Sequence, residues 1–324
     1  MGNVDTTIVV VPRERFSATR ASLESIYEHT RHPFELVYVD GGSPDRIKAY
    51  LSRASRERGF ALVRSSCILT PNEARNLGVS HVDTRYVVFL DNDVTVSPGW
   101  LERLVTCAEE TSADIVGPLY LIGPAGTDQI HMAGGDLWFE GELEGRRAFH
   151  EKHRHNWRPV GEVADRLRRE PVDYVEFHCL LARRDLFDRI GPLDESFMSS
   201  HEHIDLCLSV SEAGGKVVFE PESVVTYSPP QRFEQGDRAF YLLRWSEDWN
   251  DRSLKHFAEK WNVDPASLDG ARRWLEGHRR RAYLGPFKGL DSLLAPVWTR
   301  KVAQRRAEAF PIDDDADMES AAAR

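Results

Sequence analysis

Two carboxylates one residue apart, Asp91 and Asp93, follow the apolar run Val87-Val88-Phe89-Leu90. A loop leaving a buried strand carries both side chains towards one small region. Hard oxygen ligands of this kind suit Mg2+ or Mn2+, which keep several waters and take substrate phosphates as their remaining ligands. Alone, Asp91-Asn92-Asp93 reads more readily as a solvated turn, because Asp and Asn hydrogen-bond neighbouring backbone groups there. The surroundings sharpen it. Asp40 stands in the same way after the apolar run 34–39 and is followed by Gly41-Gly42-Ser43-Pro44. In open α/β sheets, ligands sit beyond the carboxyl ends of the strands, so these two loops can line one crevice.

These residues must be held by the elements between them. Residues 7–11 form a β-branched run closed by Pro12, which predicts a buried strand. A helix over 17–29 follows, then strands at 34–39 and 61–65 around a helix at 45–58. The pattern continues with a helix at 71–81, a strand at 86–90, a helix at 100–110 and a strand at 114–121. This alternation predicts a mostly parallel sheet with flanking helices. Residues 123–170 read as irregular, rich in Gly, His, Arg and Trp, and a long loop region of this kind is usually functional. A strand at 174–182, helices at 184–190 and 204–212, and strands at 216–219 and 224–227 complete the expected core. Gly214-Gly215 stops the second helix. From about 235 to 310 the pattern is helical.

Several ordered blocks together resemble the family 2 glycosyltransferases of GT-A fold, over about residues 6–230. The blocks are Pro71-Asn72-Glu73-Ala74-Arg75-Asn76-Leu77-Gly78, then Tyr86 to Asp93, with Val39-Asp40-Gly41-Gly42-Ser43 before them. Those proteins show an Ala-Arg-Asn-x-Gly helix and a strand ending in Asp-x-Asp. Ile190 to Phe197, with Asp205-Leu206-Cys207-Leu208 after it, resembles the acceptor-side block. The resemblance implies that Asp40 binds the base and that the Pro12-Arg13-Glu14 loop borders the nucleoside. Arg75 would contact ribose or diphosphate. Asp91, beside Asn92, would sit near ribose and metal, and Asp93 would ligate the Mn2+ or Mg2+ ion that offsets charge on the leaving diphosphate.

Two departures from the family pattern stand out. Many inverting members carry Glu-Asp-x-Asp on the acceptor side with the first Asp as general base, whereas this chain reads His201-Glu202-His203-Ile204-Asp205. Either Glu202 or His203 can take the acceptor's proton, an imidazole having an ordinary pKa near 6.5, and Glu202 is the preferred candidate. A helix beginning here would set Glu202 and Asp205 on one face. Many members also supply a histidine ligand after the last strand, where this chain has Thr226-Tyr227-Ser228-Pro229-Pro230. Asp93, diphosphate and water would then hold the ion. His131 and His178 read as loop or packing histidines. Trp138, His150, His153, His155 and Trp157 offer rings for an acceptor-binding lid, or for packing on the domain.

Composition bounds the rest. The chain has 324 residues, 41% of them apolar, and a formal charge of −10, which argues against general nucleic-acid binding. No run approaches the roughly 18 apolar residues of a membrane span, and the N-terminus lacks the pattern of a signal peptide, so a cytoplasmic protein is expected. Cys67, Cys107, Cys179 and Cys207 are scattered and read as reduced, buried thiols. Residues 271–309 carry ten Lys or Arg against three acids. That stretch, with Arg272, Arg273, Arg279, Arg280 and Arg281 among Trp274, Tyr283 and Leu284, would suit peripheral contact at the inner face of a membrane, or a solvated or self-associating face.

The expected fold is α/β GT-A, Rossmann-like, with a helical C-terminal extension. Residues 1–232 would form the glycosyltransferase domain, its nucleotide-sugar half about 1–121 and its acceptor half about 122–232. A helical extension over 233–310 and an acidic tail over 311–324 would follow. The expected reaction moves a sugar from a UDP- or GDP-linked donor to a saccharide, lipid-linked or other hydroxyl acceptor, with inversion. A sugar nucleotidyltransferase would want a glycine-rich loop after the first strand, which Pro12-Arg13-Glu14-Arg15 is not. A non-catalytic nucleotide- or carbohydrate-binding module of the same fold is the other reading.

Overall fold

The computed structural model describes residues 4–281 apart from Glu144, Gln231 and Gln235. Strands β1 (Thr6–Val11) and β4 (Tyr86–Asp91) are buried along their whole length. Continuous apolar runs of this kind belong to strands covered on both faces. β1 lies between β4 and β2 (Glu35–Gly41), and β2 leads outward to β3 (Ala61–Ser65), all four parallel. Helices α1 (Thr19–His29), α2 (Asp45–Arg58) and α3 (Pro71–Val79) make the connections.

Beyond β4 the sheet changes direction. β11 (Cys179–Arg183) runs antiparallel between β4 and β6 (Ile115–Ile122), and β12 (Val217–Tyr227) lies parallel to β6. Short strands β5 (Val94–Val96), β7 (Ile130–Met132) and β10 (Glu170–Pro171) attach to β12, β6 and β12 respectively. Helix α4 (Trp100–Thr111) packs beside β12 and β6, burying Trp100, Leu101, Leu104 and Val105. The sheet order is thus β10-β12-β6-β11-β4-β1-β2-β3.

The expected, mostly parallel central sheet is present, with antiparallel strands and other corrections at its second half. Residues 123–170 are not mainly loop: they contain β7 and a hairpin of β8 (Gly135–Leu143) and β9 (Arg146–His153), then a short turn of helix α5 (Val160–Val163). β9 reads RRAFHEKH and buries only Phe149, so no alternation of apolar residues marked it. The strands expected at 216–219 and 224–227 are one strand, β12, whose register shifts between Glu220 and Val224. The strand expected at 174–182 begins only at Cys179.

Helices α6 (Leu186–Ile190) and α7 (Glu202–Glu212) flank the sheet. The chain then continues through α8 (Asp237–Arg244), α9 (Glu247–Lys260) and α10 (Asp269–Arg281). Most of the basic stretch over 271–309, Tyr283 and Leu284 with it, and the whole acidic tail lie outside the described residues. All four cysteines are buried and unpaired. Among the described residues, no helix is long and apolar enough to cross a membrane.

Candidate active site

Asp91 is the last residue of β4, in register with Val11 of β1, and its amide donates to His178 O at 3.1 Å. Asn92 fastens the neighbouring loop. Its Nδ2 donates to Arg15 O at 2.9 Å and to Thr19 Oγ1 at 3.1 Å, and its Oδ1 accepts from the Arg13 amide at 3.0 Å. The middle residue of the acidic triplet is therefore a clamp between the β1 and β4 loops. Asp93 is buried, and neither of its carboxylate oxygens receives a hydrogen bond among the described residues. Burial, then the charge of Glu14, pushes its pKa up to about 8, against the pull of Arg13.

Three buried guanidiniums gather about Asp91 and Glu202. Arg75, from α3, donates to Asp91 Oδ1 at 3.2 Å and lies over the Phe177 ring at 3.7 Å. Arg13 Nε is 3.1 Å from Asp91 Oδ2, and its other arm reaches Glu14 at 3.3 Å. Arg244, at the end of α8, meets Glu202 at 3.0 Å, and Arg75 stands 3.8 Å from the same carboxylate. Burial alone would raise the Asp91 pKa, but His178, Arg75 and Arg13 together hold it below its ordinary value. Glu14, Asp91, Asp93, Glu176 and Glu202 still outnumber Arg13, Arg75 and Arg244. Burial and Glu14 keep Asp93 protonated near pH 7, and a divalent cation is the partner that would let a buried carboxylate without donors ionise.

A cavity of about 390 Å³ opens over this cluster. Arg13, Arg75, Asp91, Glu202, His203 and Arg244 line it. So do His131, His153 and His178; His131 and His178 pack on each other and on Tyr227, as expected of packing histidines, and in addition line the cavity. Asp91, Asp93 and His178 place one ligand atom each within 4.8 Å of one another. His178 Nδ1 is 3.5 Å from Asp91 Oδ2 and its ring stacks on Tyr227 at 4.3 Å. An imidazole thus reaches the acidic pair from the segment before β11, while Tyr227 stands at the end of the last strand. Burial, then Arg13, holds the His178 pKa down to about 4, so the ring is neutral near pH 7 and free to act as a ligand.

The other expected residues divide. Glu202 and His203 both face the cavity, but Glu202 is committed to Arg244 and Arg75. His203 is half-buried beside the Tyr174 ring, 5.8 Å between centroids, with no hydrogen bond or ion pair among the described residues. Asp205 does not line the cavity. Its carboxylate accepts from Trp261 Nε1 at 2.8 Å and pairs with Lys260 at 2.9 Å, so it anchors the C-terminal helices to α7. Residues three apart on a helix diverge by about 60°, enough to send Glu202 and Asp205 to different neighbours.

Asp40 is buried and already engaged, accepting from the Ser43 amide at 3.0 Å and from Arg64 Nε at 3.1 Å. Glu14 is fully buried between Tyr227 Oη at 2.6 Å and Trp245 Nε1 at 3.0 Å. It supports the loop that begins at Pro12 from beneath. Of the lid candidates, His153 and Trp157 line the cavity, whereas Trp138 and His150 stack on each other at 5.1 Å on the hairpin. His155 also stays outside the cavity lining. Arg244, Trp245, Trp274 and Glu176 line it too and were not anticipated; the first three come from the C-terminal helices and their ends, which carry no motif, and Glu176 from the irregular segment before β11, where only the pair Glu176-x-His178 gave any local hint.

A sequence-family model described as glycosyl transferase family 2 matches residues 7–191. An uncharacterized protein of Sinorhizobium fredii is 30% identical over 221 residues, covering 66% of this chain and 23% of that protein. The pre-mycofactocin glycosyltransferase of Mycobacterium tuberculosis is 26% identical over 223 residues, covering 69% of this chain and 42% of that protein. The chain therefore spans less than half the length of these curated relatives. The crystal structure of GalNAc-T7 with UDP, GalNAc and Mn2+ superposes with a TM-score of 0.55 at 17% identity, covering 90% of this chain and 58% of that one. At that identity the likeness carries the fold, which is GT-A.

Proposed function

The chain belongs to glycosyl transferase family 2, and on that footing we propose that it transfers a sugar from a nucleoside-diphosphate donor, UDP- or GDP-linked, to an acceptor hydroxyl. The observation that carries this reading is the Asp91–Asp93 pair, with both Asp93 oxygens buried and without a donor, at the mouth of β4. Asp91 and Asp93 would hold a Mn2+ or Mg2+ ion, with His178 Nδ1 facing Asp91 Oδ2 at 3.5 Å beside them. When bound, the ion neutralises charge building on the leaving diphosphate. Arg75 and Arg13 are aimed at the same place and suit phosphate oxygens.

The chain's own residues supply the remaining steps. His203 faces the cavity with no hydrogen bond or ion pair among the described residues, the charge of Glu176 acting on it, and is the proposed general base. It takes the acceptor proton as the acceptor oxygen bonds to the anomeric carbon and the bond to the diphosphate breaks, which inverts that carbon. Glu202 fixes Arg75 and Arg244 and so acts as a positioning residue. Exposed Trp157 and Trp274 at the cavity edge present ring faces that suit the apolar face of a sugar acceptor.

Thermal denaturation with UDP or GDP, with and without Mn2+, tests the donor side. One nucleotide should raise the melting temperature in a metal-dependent way, because a ligand that binds only the native state stabilises it. Asp93→Ala should abolish the metal dependence. Absence of stabilisation by any nucleotide under any metal condition would sink the proposal. The replaced base position also favours a second reading, a binding module without turnover. Nucleotide-sugar hydrolysis by the purified chain would separate the two.

A further inference from the structure

We propose that His131, Glu176 and His178 form a second divalent-cation site on the cavity wall, suited to an ion of the zinc class. Each of the three offers one ligand atom, all within 4.8 Å of one another. His131 Nε2 stands 3.6 Å from Glu176 Oε1, and His178 Nε2 stands 3.7 Å from Glu176 Oε2. Both separations are too long for good hydrogen bonds. Each is close to a ligand–ligand edge around zinc, about 3.4 Å for metal–ligand bonds of about 2.1 Å, and the two run to different oxygens of Glu176, whose carboxylate faces both imidazoles.

A second observation points the same way. His178 is 1% exposed, and neither of its ring nitrogens has a hydrogen-bond partner among the described residues. Buried imidazoles are normally satisfied on at least one side, so two orphaned nitrogens call for a ligand. The Nδ1 atom looks towards the Asp91–Asp93 pair and the Nε2 atom towards Glu176. A single ion at the acidic pair therefore leaves Nε2, Glu176 and His131 unexplained.

The rings are held in place. Tyr227 stacks beneath His178 at 4.3 Å, and His131 meets it edge to face at 5.3 Å between centroids. His153 Nε2 lies 3.3 Å from Glu176 Oε1, where it serves as a partner that orients the carboxylate. Two imidazoles and one carboxylate suit zinc-class ions, whereas the all-oxygen Asp91–Asp93 pair suits Mg2+ or Mn2+. Three protein ligands leave a position open, the pattern of a reactive rather than a purely structural zinc ion, and all three side chains line the cavity. This assignment concerns ion binding and stands whether or not the chain transfers a sugar.

The test titrates the untagged, metal-stripped full chain with Co2+, whose visible absorption reports a site of mixed nitrogen and oxygen ligands, and then displaces it with Zn2+. The unaltered chain should bind Co2+ with that absorption, and Asp93→Asn should leave the affinity unchanged. His131→Gln and Glu176→Gln should each weaken it by more than the ~10–100-fold that loss of a supporting partner costs, and His153→Gln by an amount within that range. Metal-free melting temperatures establish that each variant is folded, and Glu176→Gln carries the test if His131→Gln melts early. The proposal is overturned if Asp93→Asn loses Co2+ as fully as His131→Gln, which means one shared ion. It is also overturned if the His131 and Glu176 variants bind Co2+ like the parent.

Discussion

At the scale of single residues, buried charge is sorted by its partners. Glu202, on the cavity wall, has two guanidiniums, whereas Asp93, buried next to the cavity-lining Asp91, has no donor among the described residues. His203→Ala should lower kcat by about 10²- to 10⁴-fold, the usual worth of a general base, with little change in melting temperature. Glu202→Gln should instead lower thermal stability, because Arg244 and Arg75 lose a charged partner. The reverse pattern would exchange the two roles. His201 supplies a pH test. It is buried with a backbone φ of 63°, and burial holds its pKa down to about 3. The unfolded chain therefore binds the proton more readily, so this contribution to stability is complete above about pH 6.5 and is lost as pH falls towards 3. Between pH 7 and pH 5 it amounts to about 2 kcal/mol. His201→Asn tolerates the left-handed backbone, and urea unfolding at both pH values should show the loss reduced by about that amount.

At the scale of elements, the approach of α3 to the sheet sets where Arg75 points. The start of α3 is fixed by Glu73, whose carboxylate accepts from the Thr70 amide at 2.7 Å. Its far end depends on Gly78, where a Cβ atom would come within 2.2 Å of Val9 Cγ1. Gly78→Ala should destabilise the fold by about 1–3 kcal/mol, as overpacking does, and urea unfolding measures it. Because Arg75 lies on this helix, the same variant should weaken nucleotide binding, provided that it is measured well below the shifted melting temperature. Arg75→Lys, which keeps charge but loses the fork, should reduce activity by about 10- to 100-fold, equal to one lost charged hydrogen bond of about 1.5–3 kcal/mol.

At the scale of the whole molecule, the C-terminal helices complete the cavity rather than trailing from it. Arg244 reaches Glu202, Trp245 reaches Glu14, and Lys260 and Trp261 hold Asp205. Trp249, Leu254 and Phe257 of α9 are buried in the same structure. Helices tied to the core by buried ion pairs should not melt independently. Calorimetry of the full chain should show one transition that includes them, and Arg244→Ala should shift it downward by the equivalent of about 3–5 kcal/mol, since it leaves Glu202 buried with less compensation. Two resolved transitions, with the cavity intact after the first, would contradict this coupling.

The acidic turn after β4, the strand–helix alternation and the GT-A fold were legible in the sequence because each rests on local signals. Apolar period and strand-end carboxylates act within a few residues of one another, and the order of the blocks added the family. What the chain does with Asp205, Asp40 and Glu14 was not legible, since each carboxylate is defined by a partner far along the chain: Lys260 and Trp261, Arg64, and Tyr227 with Trp245. The histidines were hidden for the same reason. His131, His153 and His178 sit on three separate segments, and only the pairing of β7 with β6 and of β11 with β4 brings His131 and His178 to one wall. Sequence spacing determined where the carboxylate pair would lie. Tertiary packing alone decided which other charges and imidazoles face it, because electrostatics depends on distance in space and not along the chain.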